Sequence, residues 1–229
     1  MLALVIDTSS AAVTAGVAEV ASGVAPRVLA QQVIIDARAH GERLAPSIQA
    51  SLAEACVRFP DLAAVVAGTG PGPFTGLRVG LVTAAAIGDA TGLPTYGVCS
   101  LDAIAAVHAD CADLLVAGDA RRKEVYWARY RHGVRTAGPE VTKPAELSTE
   151  AAAMAGAGAR LYSDVLGLPL LGLPLLGLPL LEEDYPPVAG LAAVAAERVL
   201  NRAPGEPLTP LYLRRPDAVA PGERKQVTA

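Results

Sequence analysis

Charge and aromatic rings are both scarce in this 229-residue chain: Asp, Glu, Lys and Arg make up 18% of it and Phe, Trp and Tyr only 4%. Nineteen basic residues against 23 acidic ones leave a formal charge of -4, which excludes a protein that wraps nucleic acid by charge alone. A local basic patch, or nucleic acid reached through another subunit, stays open. Cysteine is almost absent. Cys56, Cys99 and Cys111 are odd in number and lack metal-ligand spacing, so they read as reduced, mostly buried thiols of a cytoplasmic protein, not a disulfide framework. The start, MLALVIDTSS, has no basic leader region and carries Asp7 early, unlike a secretory signal. Long apolar runs are limited to one, residues 165–181, and it holds three tandem GLPLL copies starting at Gly167, Gly172 and Gly177. Its prolines recur every five residues and would interrupt any membrane helix, so a proline-bent surface loop is expected there.

Small apolar residues are what the chain has in plenty: 46 alanines and 52% hydrophobic residues overall. That is ample for a packed core. Residues 2–6 form an apolar run ending at Asp7, which reads as a buried strand, and Thr8, Ser9 and Ser10 make a polar turn. Strands are expected at 12–20 and 27–35, a helix at 42–57, a strand at 62–67, a helix at 75–91 capped by Thr75 and stopped by Gly92, and a strand at 94–98. The second half restarts: an apolar run at 114–118 ends at Asp119 as the first ends at Asp7, and strands follow at 125–130 and 134–141. A helix at 145–154, a strand at 160–163 and an Ala/Val/Leu helix at 190–201 complete the reading, with a short apolar helix before His108. The pattern predicts an α/β protein of two related lobes with mixed sheets, residues 1–101 and 102–215, and a flexible tail at 216–229. The helix at 190–201 could pack back on the first lobe.

The most specific segment is GPGPFTGLRVG, residues 70–80. Its place between a strand and a helix invites a phosphate-loop reading. It lacks a Walker lysine, however, its glycines miss the dinucleotide spacing, and Pro71 and Pro73 remove two amide donors. The following helix carries Gly76, Gly80, Ala84 and Gly88 four apart, a face nearly free of side chains. Such a stripe costs helix stability unless another backbone packs on it. That backbone could be the chain's own sheet or first helix, or a partner's helix. On the second reading, Gly80→Leu would part the two chains and leave the monomer folded.

Four stretches, LVIDTS (4–9), HGERLAP (40–46), GPGPFTGLRVG and DARRKEVY (119–126), with the weaker PLYLRRPDA (210–218), resemble the TsaB (YeaZ) family. Pro73 stands where that family usually has Ser. The resemblance implies an actin-like fold (ASKHA, ribonuclease-H-like) and a non-catalytic subunit that pairs with a TsaD-type catalytic partner and then a TsaE-type ATPase. That complex moves a threonylcarbamoyl group to N6 of adenosine 37 in tRNAs reading codons that start with A. The implied interface is the first two helices, with Leu44, Ile48, Leu52, Gly76, Arg78, Gly80, Ala84 and Gly88. The resemblance leaves the metal to the partner, allows ATP or ADP at the interface of the complex, and implies contact with tRNA only indirectly. A homodimer would form through the same surface when the partner is absent.

The residues themselves offer little catalysis. His40, His108 and His132 are widely spaced, and Leu44 stands where a second helical ligand would be needed beside His40, leaving His40 and Glu42 as surface polar groups at a helix start. Asp7 and Asp119 sit where actin-like ATPases place metal-proximal carboxylates and, with Thr8, Ser9 and Ser10, could form a vestigial nucleotide pocket, or merely cap turns. An actin-like ATPase or kinase is the rival function, and a metallopeptidase a weaker one. Arg121, Arg122, Lys123, Arg214 and Arg215 form basic patches that either lie solvated or meet tRNA or a partner.

Overall fold

The computed structural model describes residues 1–147, 151–166 and 179–214. Most of the GLPLL repeat, Arg215 and the tail at 216–229 therefore lie outside the described residues. Among the described residues nine strands form two sheets. In the first, β1 (Leu2–Asp7), β2 (Ala12–Glu19) and β3 (Arg27–Ile35) run as an antiparallel meander, and β4 (Ala64–Gly68) and β5 (Thr95–Val98) join parallel to β1 in the order β3-β2-β1-β4-β5.

Both faces of this sheet are covered, which is why β1 reads as unbroken apolar sequence and not as an alternation. Leu4 and Ile6 point to one side, beneath α1 (His40–Glu54) and α2 (Phe74–Thr91). Ala3 and Val5 point to the other, beneath α6 (Val188–Leu200). The C-terminal helix thus lies on the N-terminal sheet. It approaches closely enough that a Cβ at Gly190 would stand 1.9 Å from the carbonyl oxygen of Ala103 in α3 (Ser100–Ala106). Leu101 and Ile104 of α3 also enter the core of the second sheet, so the division read at 101/102 falls inside a helix shared by both lobes.

The second sheet repeats the first in reduced form. It consists of β6 (Leu114–Asp119), β7 (Val125–Arg131), β8 (Val134–Thr142) and β9 (Ala153–Ala155), ordered β8-β7-β6-β9. β6 pairs antiparallel with β7 and parallel with β9, as β1 does with β2 and β4. Two mixed sheets of this matching order are the actin-like arrangement. Two expectations fail here. At its described residues the helix read at 145–154 does not form: Pro144–Glu146 is a 3-10 turn, and Ala153, Met154 and Ala155 pair as β9 with Leu114, Leu115 and Val116. Ladder pairing overrides the helix propensity of an alanine run. The strand read at 160–163 is helix, α4 (Ala157–Leu161) followed by α5 (Ser163–Leu166). Helix α2 begins at Phe74 after Pro73, not after a Thr75 cap, and Gly92 ends it in the left-handed conformation as expected. Cys56 is exposed and Cys99 and Cys111 are half-buried, against the expectation of mostly buried thiols. Among the described residues no helix is long and apolar enough to cross a membrane.

Candidate functional site: the inter-lobe cleft and the α1–α2 face

Each lobe ends its first strand in the same local device. Asp7 Oδ1 accepts from the Ser9 amide at 2.9 Å, and Asp119 Oδ1 accepts from the Arg121 amide at 2.8 Å. An aspartate that bonds the amide two residues on builds its own turn. The two turns nonetheless have different fates. Asp7 is 1% exposed, and beyond that amide it accepts from Ser9 Oγ at 2.8 Å and Ser100 Oγ at 2.5 Å. Burial raises its pKa, opposed by the hydrogen bonds from Ser100 and Ser9. Asp119 is half-buried and also lies 3.4 Å from Arg121 Nη1.

The glycine-rich loop wraps the first of these turns. A Cβ at Gly68 would stand 1.7 Å from Asp7 Oδ2, and one at Gly72 would stand 1.8 Å from the Ser9 carbonyl oxygen. The Gly70 amide donates to Ser100 Oγ at 3.1 Å. The loop is shaped to its own chain. Asp7 is therefore sealed behind Ser9, Ser100 and Gly68, where it caps its own turn, and is not on the wall of the cleft.

Thr8 reaches in the other direction, into α2. Its hydroxyl donates to the Gly76 carbonyl at 2.7 Å and accepts from the Gly80 amide at 2.9 Å. The small-residue stripe is thereby used inside the molecule. Gly76 packs on the Thr8 backbone and the His40 ring, Gly80 on the Thr8 side chain, and Gly88 on Thr95. Ala84, Leu44, Ile48 and Leu52 are buried in the core between the helices and the sheet. These seven residues are consequently not the surface a partner would meet, because the core already covers them. His40 is buried as well, contrary to its reading as a surface group; its Nε2 lies 2.8 Å from the Ser10 carbonyl oxygen, which can only accept, so Nε2 carries the proton.

What α1 and α2 leave outside was missed by periodicity. Ala45, Pro46, Gln49 and Ala53 are exposed on α1, and Phe74, Arg78, Val82 and Ala86 on α2. Val82 is 66% exposed. Of the residues read as interface, Arg78 alone is exposed. Its guanidinium lies 3.7 Å over the Phe74 ring and its Nε donates to Tyr212 Oη at 3.0 Å. Phe74 and Tyr212 stack with centroids 4.9 Å apart.

Between the lobes lies a cavity of about 270 Å³, bordered by Ser9, Ser10 and Ser100 from the first lobe and by Asp119, Arg121 and Tyr126 from the second. A second cavity of about 420 Å³ continues past Tyr126 to Phe74 and Tyr212. Burial holds the Tyr126 phenol above its ordinary pKa, so it stays a neutral hydroxyl.

The family model for TsaD, tRNA N6-adenosine threonylcarbamoyltransferase, matches residues 13–170. A solved structure of YeaZ from Pseudomonas aeruginosa superposes with a TM-score of 0.73 at 25% identity, covering 93% of this chain and 99% of that one. The chain belongs to the TsaB (YeaZ) family. The Escherichia coli tRNA threonylcarbamoyladenosine biosynthesis protein TsaB is 38% identical over 97 residues, 41% of this chain and 42% of its own length. Uncharacterized mycobacterial relatives align more fully. One from Mycobacterium tuberculosis is 49% identical over 94% of this chain and 92% of its own length. One from Mycobacterium leprae is 48% identical over 95% of this chain, which spans only 56% of that relative.

The basic residues of this TsaB-family chain are largely engaged. Arg121, Arg122 and Lys123 form a left-handed turn at the tip of the β6–β7 hairpin, with φ of 59°, 55° and 62°. Arg121 pairs with Asp119. Arg214 forms an ion pair with Glu124 and donates from Nη1 to the Ala120 carbonyl at 3.2 Å. It ties the C-terminal segment to the second lobe and is not an unpaired cation awaiting RNA. His108, read as an unremarkable surface or partly buried group, is half-buried and its ring lies against the Glu183 carboxyl.

Proposed function

We propose that the chain is a non-catalytic subunit in the synthesis of threonylcarbamoyladenosine at position 37 of tRNA. On this reading it acts in the cytoplasm by docking a TsaD-type catalytic partner on the exposed face of α1 and α2. The observation that carries the docking is Val82, a large apolar side chain 66% exposed among small exposed residues on two adjacent helices. Such a face is flat enough for another helix pair to approach and gains by being covered. Family membership supplies the chemistry around it. A TsaE-type ATPase would join the pair, ATP or ADP would sit at the interface of the complex, the metal would belong to the partner, and tRNA would be reached through it. Without the partner, the same face would support a homodimer.

Two features favour an activator over an enzyme. Among the described residues no three of His, Cys, Asp and Glu are grouped so that they could hold a metal ion. One solved P. aeruginosa relative is described by its similarity to the peptidase YeaZ. Here, though, the His40 ring meets the backbone carbonyl of Ser10 and not a serine hydroxyl, an arrangement that activates no nucleophile. The role is then one of coupling, in which binding favours the partner's competent arrangement. Reconstituted tRNA modification tests it. Product should require the TsaD-type subunit, rise strongly on adding this chain, and be absent with this chain alone. Turnover by the chain alone, or an unchanged rate on adding it, would reject the reading.

A further inference from the structure

Phe74, Arg78, Val82 and Ala86 stand four apart on α2 and all are exposed, so they form one line along the helix, opposite the buried Gly76, Gly80, Ala84 and Gly88. Arg78 is the only cation in the helix, whose one other charge is Asp89 near its C-terminal end. An exposed arginine ordinarily samples many rotamers, and fixing them opposes binding. Arg78 is already fixed. Its guanidinium lies 3.7 Å over the Phe74 ring, its Nε donates to Tyr212 Oη at 3.0 Å, and Tyr212 is itself stacked on Phe74. Nε is thereby used, and the two terminal nitrogens remain as donors. Among the described residues no carboxylate pairs with this guanidinium, whereas Arg121 is held by Asp119 and Arg214 by Glu124.

The rest of the line says what would meet it. A nucleic-acid backbone repeats its charge and calls for several cations in succession. Here the guanidinium is followed along the helix by Val82 and Ala86, which carry none. One carboxylate set among apolar residues fits this order. An Asp or Glu side chain would take the planar fork, and its apolar neighbours would cover Val82. The aromatic floor keeps water from one face of the guanidinium, which strengthens such a pair.

We propose that Arg78 is the charged anchor of the docking face, positioned by Phe74 and Tyr212 to receive a carboxylate side chain of the TsaD-type partner. The C-terminal segment that carries Tyr212 thereby becomes a determinant of pairing, although it lies outside both docking helices. The inference rests on the docking reading. Titration calorimetry of the full chain against the TsaD-type subunit, without nucleotide, tests it. Arg78→Gln should weaken pairing about tenfold or more, and Arg78→Lys, which keeps the charge and loses the fork, nearly as much. Tyr212→Phe keeps the stack and removes the acceptor of Nε, and it should weaken pairing about threefold. All three variants should melt within about two degrees of wild type, as changes at exposed groups do. Each surface Asp and Glu of the partner is then changed to Asn or Gln in a double-mutant cycle with Arg78→Gln. One carboxylate should cease to matter once Arg78 is gone. Pairing undiminished in Arg78→Gln, an effect seen only when nucleotide is added, or a cycle in which no partner carboxylate couples to Arg78 would overturn the anchor and leave the docking face standing. A wild-type chain that does not pair at all would reject the docking reading itself, and the anchor with it.

Discussion

The hydroxyl of Thr8 and the amide of Gly80 are 2.9 Å apart, and the same hydroxyl donates to the Gly76 carbonyl, the group that a regular helix would pair with that amide. A side chain from the first β-turn is thus inserted into the backbone of α2. The expectation that Gly80→Leu would leave the monomer folded does not survive this contact. A Cβ there would stand 2.5 Å from Thr8 Oγ1. Gly80→Leu should destabilise the isolated chain by about 3 kcal/mol or more, and Gly80→Ala by about 1–3 kcal/mol, as overpacking does. Urea unfolding reads both. A wild-type midpoint for Gly80→Leu would show the stripe to be slack.

Val82→Asp separates pairing from folding. The side chain is exposed, so stability should stay within about 0.5 kcal/mol of wild type. Co-elution with the TsaD-type partner should fall sharply, as a charge placed in the centre of an apolar contact is left without water. If the variant still co-elutes at full stoichiometry, the docking face lies elsewhere.

Asp7 should leave a signature in acid. Its folded pKa is raised, chiefly by burial, above the ordinary value of 3.8. The folded state therefore holds its proton to higher pH than the unfolded chain does. This group's contribution favours folding fully below about pH 3.8 and is lost as pH rises through the folded pKa. Asp7→Asn, which mimics the protonated form, should close the gap to wild type or exceed it at pH 7 and fall behind relative to wild type toward pH 4. A stability difference that is flat with pH, measured by chemical denaturation across that range, would contradict the assignment.

Tyr212 anchors the C-terminal segment by its stack on Phe74 and its bond from Arg78. Tyr212→Ala should cost about 1–2 kcal/mol, from one partly exposed ring pair and one hydrogen bond. Amide exchange should quicken at residues 211–214 and at the β6–β7 hairpin held by Arg214. Exchange unchanged in the hairpin would show that Arg214 alone holds it.

The parts visible in sequence were those fixed by short-range physics. Strand-sized apolar runs ending in Asp7 and Asp119 marked both lobes, and the left-handed Gly92 marked the end of α2. The spacing of Gly76, Gly80 and Gly88 announced a face without side chains, but periodicity cannot say whose backbone fills it. Here it is Thr8 and Thr95, 68 residues before Gly76 and seven after Gly88 in the chain. Tyr126 escaped notice for the same reason, since one tyrosine in an alternating strand looks like core until it is seen to line a cavity. Alanine runs misled at 145–154 because their helix preference is small beside a strand ladder.

The position of α6 also bears on the order of synthesis. Val188, Leu191, Ala192 and Ala195 complete the core beneath Ala3 and Val5, and the segment after α6 pairs Glu206 with Thr95 at the edge of β5. The first lobe is encoded first yet lacks one of its walls until residues 188–200 have been made. On the ribosome, the N-terminal sheet would wait with its apolar underside bare while the whole second lobe is made. Such a chain is exposed to misassociation until α6 is made, and a premature stop before residue 188 would leave the first lobe without that wall.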